Sequence, residues 1–203
     1  MAFLDPNPIS FSESLEISNV QVTALNTFQS EILRGLSAGV MDPARHSEFI
    51  GLQREEILDR FDVYRQESEY HAILTLLAQL EAIIKSDFLL RQNQLPFNVL
   101  YHRWGIQPPF EDLLDYWKKT SPAYRDDFGD FKSARRLRHW LAHGRDYKVK
   151  LAKIYTPNDI NGIVQKVYSA ISALPITRSY SKLWSRLHGI RLWLRHWRPF
   201  QRI

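Results

Sequence analysis

The sequence predicts an all-α protein, a bundle of four to five helices carrying a basic helical tail. Three observations predict it. Apolar residues recur at the three-and-four spacing of buried helical faces, no alternating strand pattern of useful length occurs, and no repeat or low-complexity run is visible.

Residues 1–19 are rich in Pro, Ser, Asn and Asp without a sustained period and read as an N-terminal extension. A first helix is expected from Val20 to Ser37, ending near Gly39. From Ser47 to Gln92 there is no proline and one glycine, Gly51, while Ile73, Leu76, Leu77, Leu80, Ile83 and Ile84 mark a buried stripe. That stretch is one long helix or two helices broken near Asp62 to Gln66. Pro96 and the Pro108–Pro109 pair bracket a short segment with Leu100, Tyr101 and Trp104. Phe110, Leu113, Leu114 and Trp117 then mark another helix, which Ser121–Pro122 closes.

Phe131, Ala134, Leu137, Trp140 and Leu141 place a further helix from about Asp127 to His143, with Gly144 in position for a left-handed C-terminal cap. Thr156 reads as the N-cap of the last core helix, with Pro157 in its first turn and Asp159 near the positive end of its dipole. Ile160, Ile163, Val164, Val167 and Ile171 form its apolar face before Pro175. The domain itself is thus expected over residues 20–175. Trp104, Trp117 and Trp140, at helical spacing beside Leu and Phe, read as packing residues.

The 203 residues carry a formal net charge of +5. Residues 176–203 hold seven Lys or Arg and no acid, so the excess belongs to the tail. Arg186, Arg191 and Arg195 recur there at near-helical steps, interleaved with Trp184, Trp193 and Trp197. Such a helix suits RNA phosphates or an acidic partner better than an anionic membrane surface. Cysteine is absent, which removes disulfides, thiolate metal sites and cysteine nucleophiles. With neither a signal-like start nor a run of apolar residues long enough to span a bilayer, the chain is expected in the cytoplasm.

The chemistry falls on the helix ending at His143. Projected at about 100° per residue, Arg135, His139, Ala142 and His143 lie opposite the packing face, with Arg138 at its flank. Two imidazoles and two guanidinium groups around a small alanine suit a phosphate. For RNA cleavage, a neutral imidazole takes the proton of a ribose 2′-hydroxyl, the role assigned to His143. An always-charged planar guanidinium, Arg138, stabilises the negative charge that develops on the phosphoryl oxygens without a metal. His139 orients substrate, assists proton transfer or serves the leaving group. The bland alternatives are a salt-bridging Arg138 and a His143 that interacts only with the helix dipole. His139 and His143 also have metal-ligand spacing, but no Glu of an HExxH motif separates them and no third ligand is near, so neither a metal nor a cofactor is expected.

Arg138, four intervening residues and His143, with a polar residue directly after the arginine, resemble the Rx4-6H signature of the HEPN superfamily. The stretches Ala72 to Ala82 with Asp87 and Phe88, and Leu137 to Arg145, are similar in the same order to bacterial members, and the resemblance spans roughly residues 60–175. It implies a helical bundle that dimerises across two motif helices. The implied activity is a metal-independent endoribonuclease leaving a 2′,3′-cyclic phosphate, in a toxin paired with an antitoxin protein or in an antiviral defence effector. A non-catalytic RNA-binding or scaffolding module is the alternative. Family toxins silenced by nucleotidyl transfer often carry Tyr two residues after the motif histidine. Arg145 stands there and Tyr147 lies further on, so that form of regulation is not expected. Glu81 and Asp87 are candidate hydrogen-bond partners for Arg138 or a motif histidine, and Arg135 and Arg145 are further contacts to RNA or the site.

Overall fold

The computed structural model describes residues 10–91, 97–143 and 154–173, and among them there are α-helices and short 3₁₀ turns but no strand. Six α-helices appear, one more than the upper expectation: α1 (Phe11–Ala38), α2 (Arg54–Arg91), α3 (Phe97–Trp104), α4 (Phe110–Thr120), α5 (Arg125–Ala142) and α6 (Pro157–Ala173). The bracketed segment around Leu100 is itself a helix, α3. Gly144, Arg145 and the tail with Arg186, Arg191 and Arg195 lie outside the described residues.

The first helix corrects the expected extension. It starts at Phe11, nine residues before Val20, behind a capping box in which Ser10 Oγ accepts from the Glu13 amide (3.2 Å) and the Ser10 amide donates to Glu13 Oε2 (2.6 Å). The buried positions of this first stretch are Phe11, Ser14 and Ser18. Two of the three are serines, so the helical spacing carried no apolar signal. Small side chains there let α1 lie close to α2, and Ser14 Oγ accepts a bond from Gln79 Nε2 on α2 (2.9 Å). At the other end Gly39, with φ of 67°, forms the left-handed cap, and Val40 N–H reaches back to the Gly35 carbonyl (2.9 Å).

α2 is a single helix of 38 residues, about 57 Å long at 1.5 Å per residue. Its polar middle does not break because α1 supplies polar partners: Arg65 donates to Asn26 Oδ1 (3.1 Å) and Gln29 Oε1 (2.9 Å), and Ser68 bonds Gln21 (3.0 Å). Two apolar regions flank this middle. Toward the N-terminal end, Ile32, Phe49, Ile57 and Phe61 are fully buried, with the Phe49 and Phe61 rings stacked at 5.4 Å and Phe28 edge-on to both at 5.8 Å. His46 is buried beside them; its Nδ1 accepts the Asp42 amide (3.2 Å) and its Nε2 lies 3.4 Å from Glu31.

Toward the C-terminal end, Ile73, Leu76, Leu77, Leu80, Ile84 and Phe88 pack against α5 and α6. Trp117 of α4 is completely buried between Phe97 (5.0 Å) and Phe128 (5.4 Å, stacked). Arg91, 2% exposed, closes this end. It forks onto Asp87 through Nε (2.8 and 2.9 Å), donates to the Ile171 carbonyl of α6 (3.2 Å) and lies over the Phe97 and Trp117 rings. Among the described residues no helix is long and apolar enough to cross a membrane.

Candidate functional site

α5 packs Phe128, Phe131, Ala134, Leu137 and Leu141 inward, which turns its opposite side to solvent near its C-terminal end. The helix stops at Ala142, and the His143 amide still donates to the His139 carbonyl (3.1 Å), so both imidazoles belong to the last turn. Their rings are 4.2 Å apart between centroids at an angle of 57°, and both residues are exposed, as is Ala142. Trp140 is half-buried, edge-on to Tyr70 of α2 at 6.3 Å, and fixes the rotation of this turn against the long helix.

Arg138 leaves the flank of α5 toward α2, where Glu81 Oε2 meets its Nη1 at 3.2 Å; Glu81 Oε1 holds Arg135 Nε at 2.8 Å. The expected link from Glu81 to Arg138 is therefore present. Leu80 and Ile84, the buried neighbours of Glu81 on α2, fix where its backbone sits, and its side chain is only 10% exposed. One carboxylate, little reached by water, thus orients two guanidinium groups. The second expected partner, Asp87, does not join them. It is spent on Arg91 a turn and a half further along α2, where burial pushes its carboxyl up and the bonds and charge of Arg91 pull it down.

Arg135 is also reassigned. Besides Glu81 it pairs with Glu111 of α4, and its guanidinium carbon lies 4.3 Å from the Phe110 ring centroid. Glu111 in turn holds Lys132 Nζ (3.0 Å), which also meets Asp115 (3.0 Å); the Glu111 bond first, and then Asp115, raise the Lys132 ammonium above the ordinary lysine range. The network of Arg135, Arg138, Lys132, Glu81, Glu111 and Asp115 is balanced in formal charge and ties α2, α4 and α5 together. Arg135 is a strut of that network rather than a free phosphate ligand.

Arg136 was not singled out from the sequence. It is exposed and has no ion-pair partner among the described residues. It stands three residues before His139 and seven before His143, a spacing that was available as a signal. The structure thus assembles two neighbouring groups: a held guanidinium, Arg138, and an open face of Arg136, His139 and His143. Among the described residues no hydrogen bond or ion pair joins Arg138 to either imidazole. The same residues contain no cluster of three metal-ligating side chains. A shallow groove along the outside of α1, lined by Val20, Thr23, Ala24 and Thr27 between Glu16 and Glu31, is acidic at both ends and unsuited to phosphate.

No protein-family model, curated protein or solved structure matches the chain.

Proposed function

We propose that the chain is a metal-independent endoribonuclease of the HEPN type, working as a homodimer whose two α5 ends face one RNA strand. The observation that supports it most is the C-terminal end of α5, where two adjacent exposed imidazoles, one and five residues after Arg138, follow an arginine that Glu81 holds. Neutral His143 takes the proton of a ribose 2′-hydroxyl, and the oxygen attacks the adjacent phosphorus. The bond to the 5′-oxygen breaks, and that oxygen leaves with a proton from His139. The products are a 2′,3′-cyclic phosphate and a 5′-hydroxyl. Arg138, with Arg136 beside the histidines, stabilises the extra charge on the phosphoryl oxygens. The small, exposed Ala142 lets a second copy approach closely, and the two copies double the groups around one phosphate.

Metal-free digestion of RNA tests this. The wild-type chain in EDTA is expected to leave cyclic-phosphate ends, and His143→Ala to lower the rate by about 10²- to 10⁴-fold, the range for losing a positioned general base. Equal rates for wild type, His143→Ala and Arg138→Ala would refute the proposal. One observation favours a second reading, RNA binding without cleavage: the charge of Arg138 is already met by Glu81. Under that reading the wild-type chain binds RNA in a salt-dependent manner and yields no products. A role as a toxin held by an antitoxin, or as an antiviral effector, concerns regulation of the same site. Co-purification of a stoichiometric protein inhibitor would support it.

A further inference from the structure

Trp104, expected among the packing residues, lies at the surface. It ends α3 with 41% of its area exposed, and the guanidinium of Arg103 lies 5.1 Å from its ring centroid. Val99 (57%), on the same helix, and Ile106 (54%), just after it, are exposed as well. An indole left in solvent with a guanidinium over its ring offers a flat aromatic face to a ligand.

Charge distinguishes what this surface meets. From Gln92 to Phe110 the chain carries no Asp or Glu, although the sequence has 22 acids in 203 residues. His102 and Arg103, both exposed, are the ionisable side chains that flank the indole. A basic aromatic segment without acids of its own complements a polyanion whose flat groups are free to stack. Double-stranded RNA presents phosphates and hydroxyls but hides its base faces, whereas a single strand offers both.

Position connects this surface to α5. Trp104 and Phe110 are six positions apart in the chain, so their backbones are at most about 22 Å apart. Phe110 packs under Arg135, which shares the Glu81 carboxylate with Arg138. A strand lying on the indole is thus within a few nucleotides of the arginine network.

We infer that Trp104 and Arg103 form a stacking subsite for an unpaired base, which makes single-stranded RNA the preferred ligand of the site. This rests on the reading of α5 as RNA-directed. The base stacks on the indole or on the outer plane of the guanidinium, and the backbone runs toward α5.

The test is the fluorescence anisotropy of a short labelled oligouridylate with the full chain, in EDTA, using the Arg138→Ala background to prevent turnover. Trp104→Ala is expected to weaken binding about five- to a hundredfold, the range for losing one base–aromatic stack, while Trp104→Phe recovers most of it. The same strand annealed to its complement should bind equally whether position 104 is Trp or Ala. Unchanged single-strand affinity in Trp104→Ala would overturn the inference, as would a change in oligomeric state by light scattering in place of a change in RNA affinity, since the surface would then be a protein contact. Cleavage products report on the α5 chemistry separately: a chain that never cuts RNA but loses affinity on Trp104→Ala refutes the proposed activity and upholds the subsite.

Discussion

Glu81→Gln isolates the charge that holds Arg138, because glutamine keeps the shape and one acceptor oxygen but turns its amide N–H₂ toward the other guanidinium. In the native chain Glu81 Oε1 meets Arg135 at 2.8 Å and Oε2 meets Arg138 at 3.2 Å. Hydrogen bonds to charged groups contribute about 1.5–3 kcal/mol each when well shielded. The two arginine side chains are 22% and 30% exposed, so solvent screens part of this, and Arg135 retains Glu111. A total loss of about 2 kcal/mol is expected, which for a chain of this size lowers Tm by about 4–8 °C. Differential scanning calorimetry at low and high salt reads it. Arg45→Gln provides the contrast: its pair with Glu31 is 65% and 40% exposed, and its loss should cost less than about 1 kcal/mol. If Glu81→Gln melts like wild type, the network is decorative and the proposed orientation of Arg138 fails with it. In RNA assays the same substitution should split two readouts, lowering kcat because Arg138 loses its holder while tightening binding because a negative charge is gone.

Three further outcomes follow from the packing. Asp87→Asn leaves the Arg91 guanidinium buried without its counter-charge and should destabilise by about 3 kcal/mol, seen as a lower urea midpoint; an unchanged midpoint would mean that the Ile171 carbonyl and the rings of Phe97 and Trp117 suffice for Arg91. Phe61→Ala empties a fully buried position stacked on Phe49 and should cost about 3–5 kcal/mol by the same assay. The capping box gives a pH dependence: the Ser10 amide bond, and then its hydroxyl, hold the Glu13 carboxyl below its usual range. Because the folded value is the lower one, this contribution is present above the unfolded carboxylate pKa and is lost as pH falls through the folded value. Protection factors at the start of α1, corrected for the intrinsic pH dependence of amide exchange, should therefore fall under acid in the wild type, and in Ser10→Ala, which keeps the amide bond but loses the hydroxyl, they should be lower at every pH.

The fold was legible where one residue type repeats. Leu76, Leu77, Leu80 and Ile84 announce the buried face of α2, and Phe131, Ala134 and Leu137 that of α5, because burial and the helical period act on the same positions. It was illegible where contact between helices requires smallness instead of hydrophobicity, as at Ser14 and Ser18, whose buried faces look polar in sequence. The continuity of α2 through Asp62 to Gln66 was undecidable for a related reason: its partners, Asn26 and Gln29, are distant in sequence, and nothing local identifies them. Trp104 shows the converse error. Its apolar neighbours match a core pattern, yet α3 has only eight residues and buries just Phe97 and Leu100, so the indole at its end is left outside.

The site divides along the same line. The arginine and the two histidines are visible because they lie within six consecutive residues at the end of one helix, and local spacing fixes their relation whatever the fold does. The choice among carboxylates does not follow from spacing. Glu81 and Asp87 are six residues apart on α2, which at about 100° per residue separates them by about 120° around the helix and by more than a turn along it, so they do not serve the same part of α5. Which of them meets Arg138 is decided by the rotation of α2, and that rotation is set by the buried Leu80 and Ile84 on the side of Glu81, with Arg91 claiming Asp87 at the far end. A proton donor or a base can be guessed from its own helix, whereas the group that orients it is chosen by the packing of two helices. Variants at Glu81 therefore test the three-dimensional part of the proposal, and variants at His143 test the part already written in the sequence.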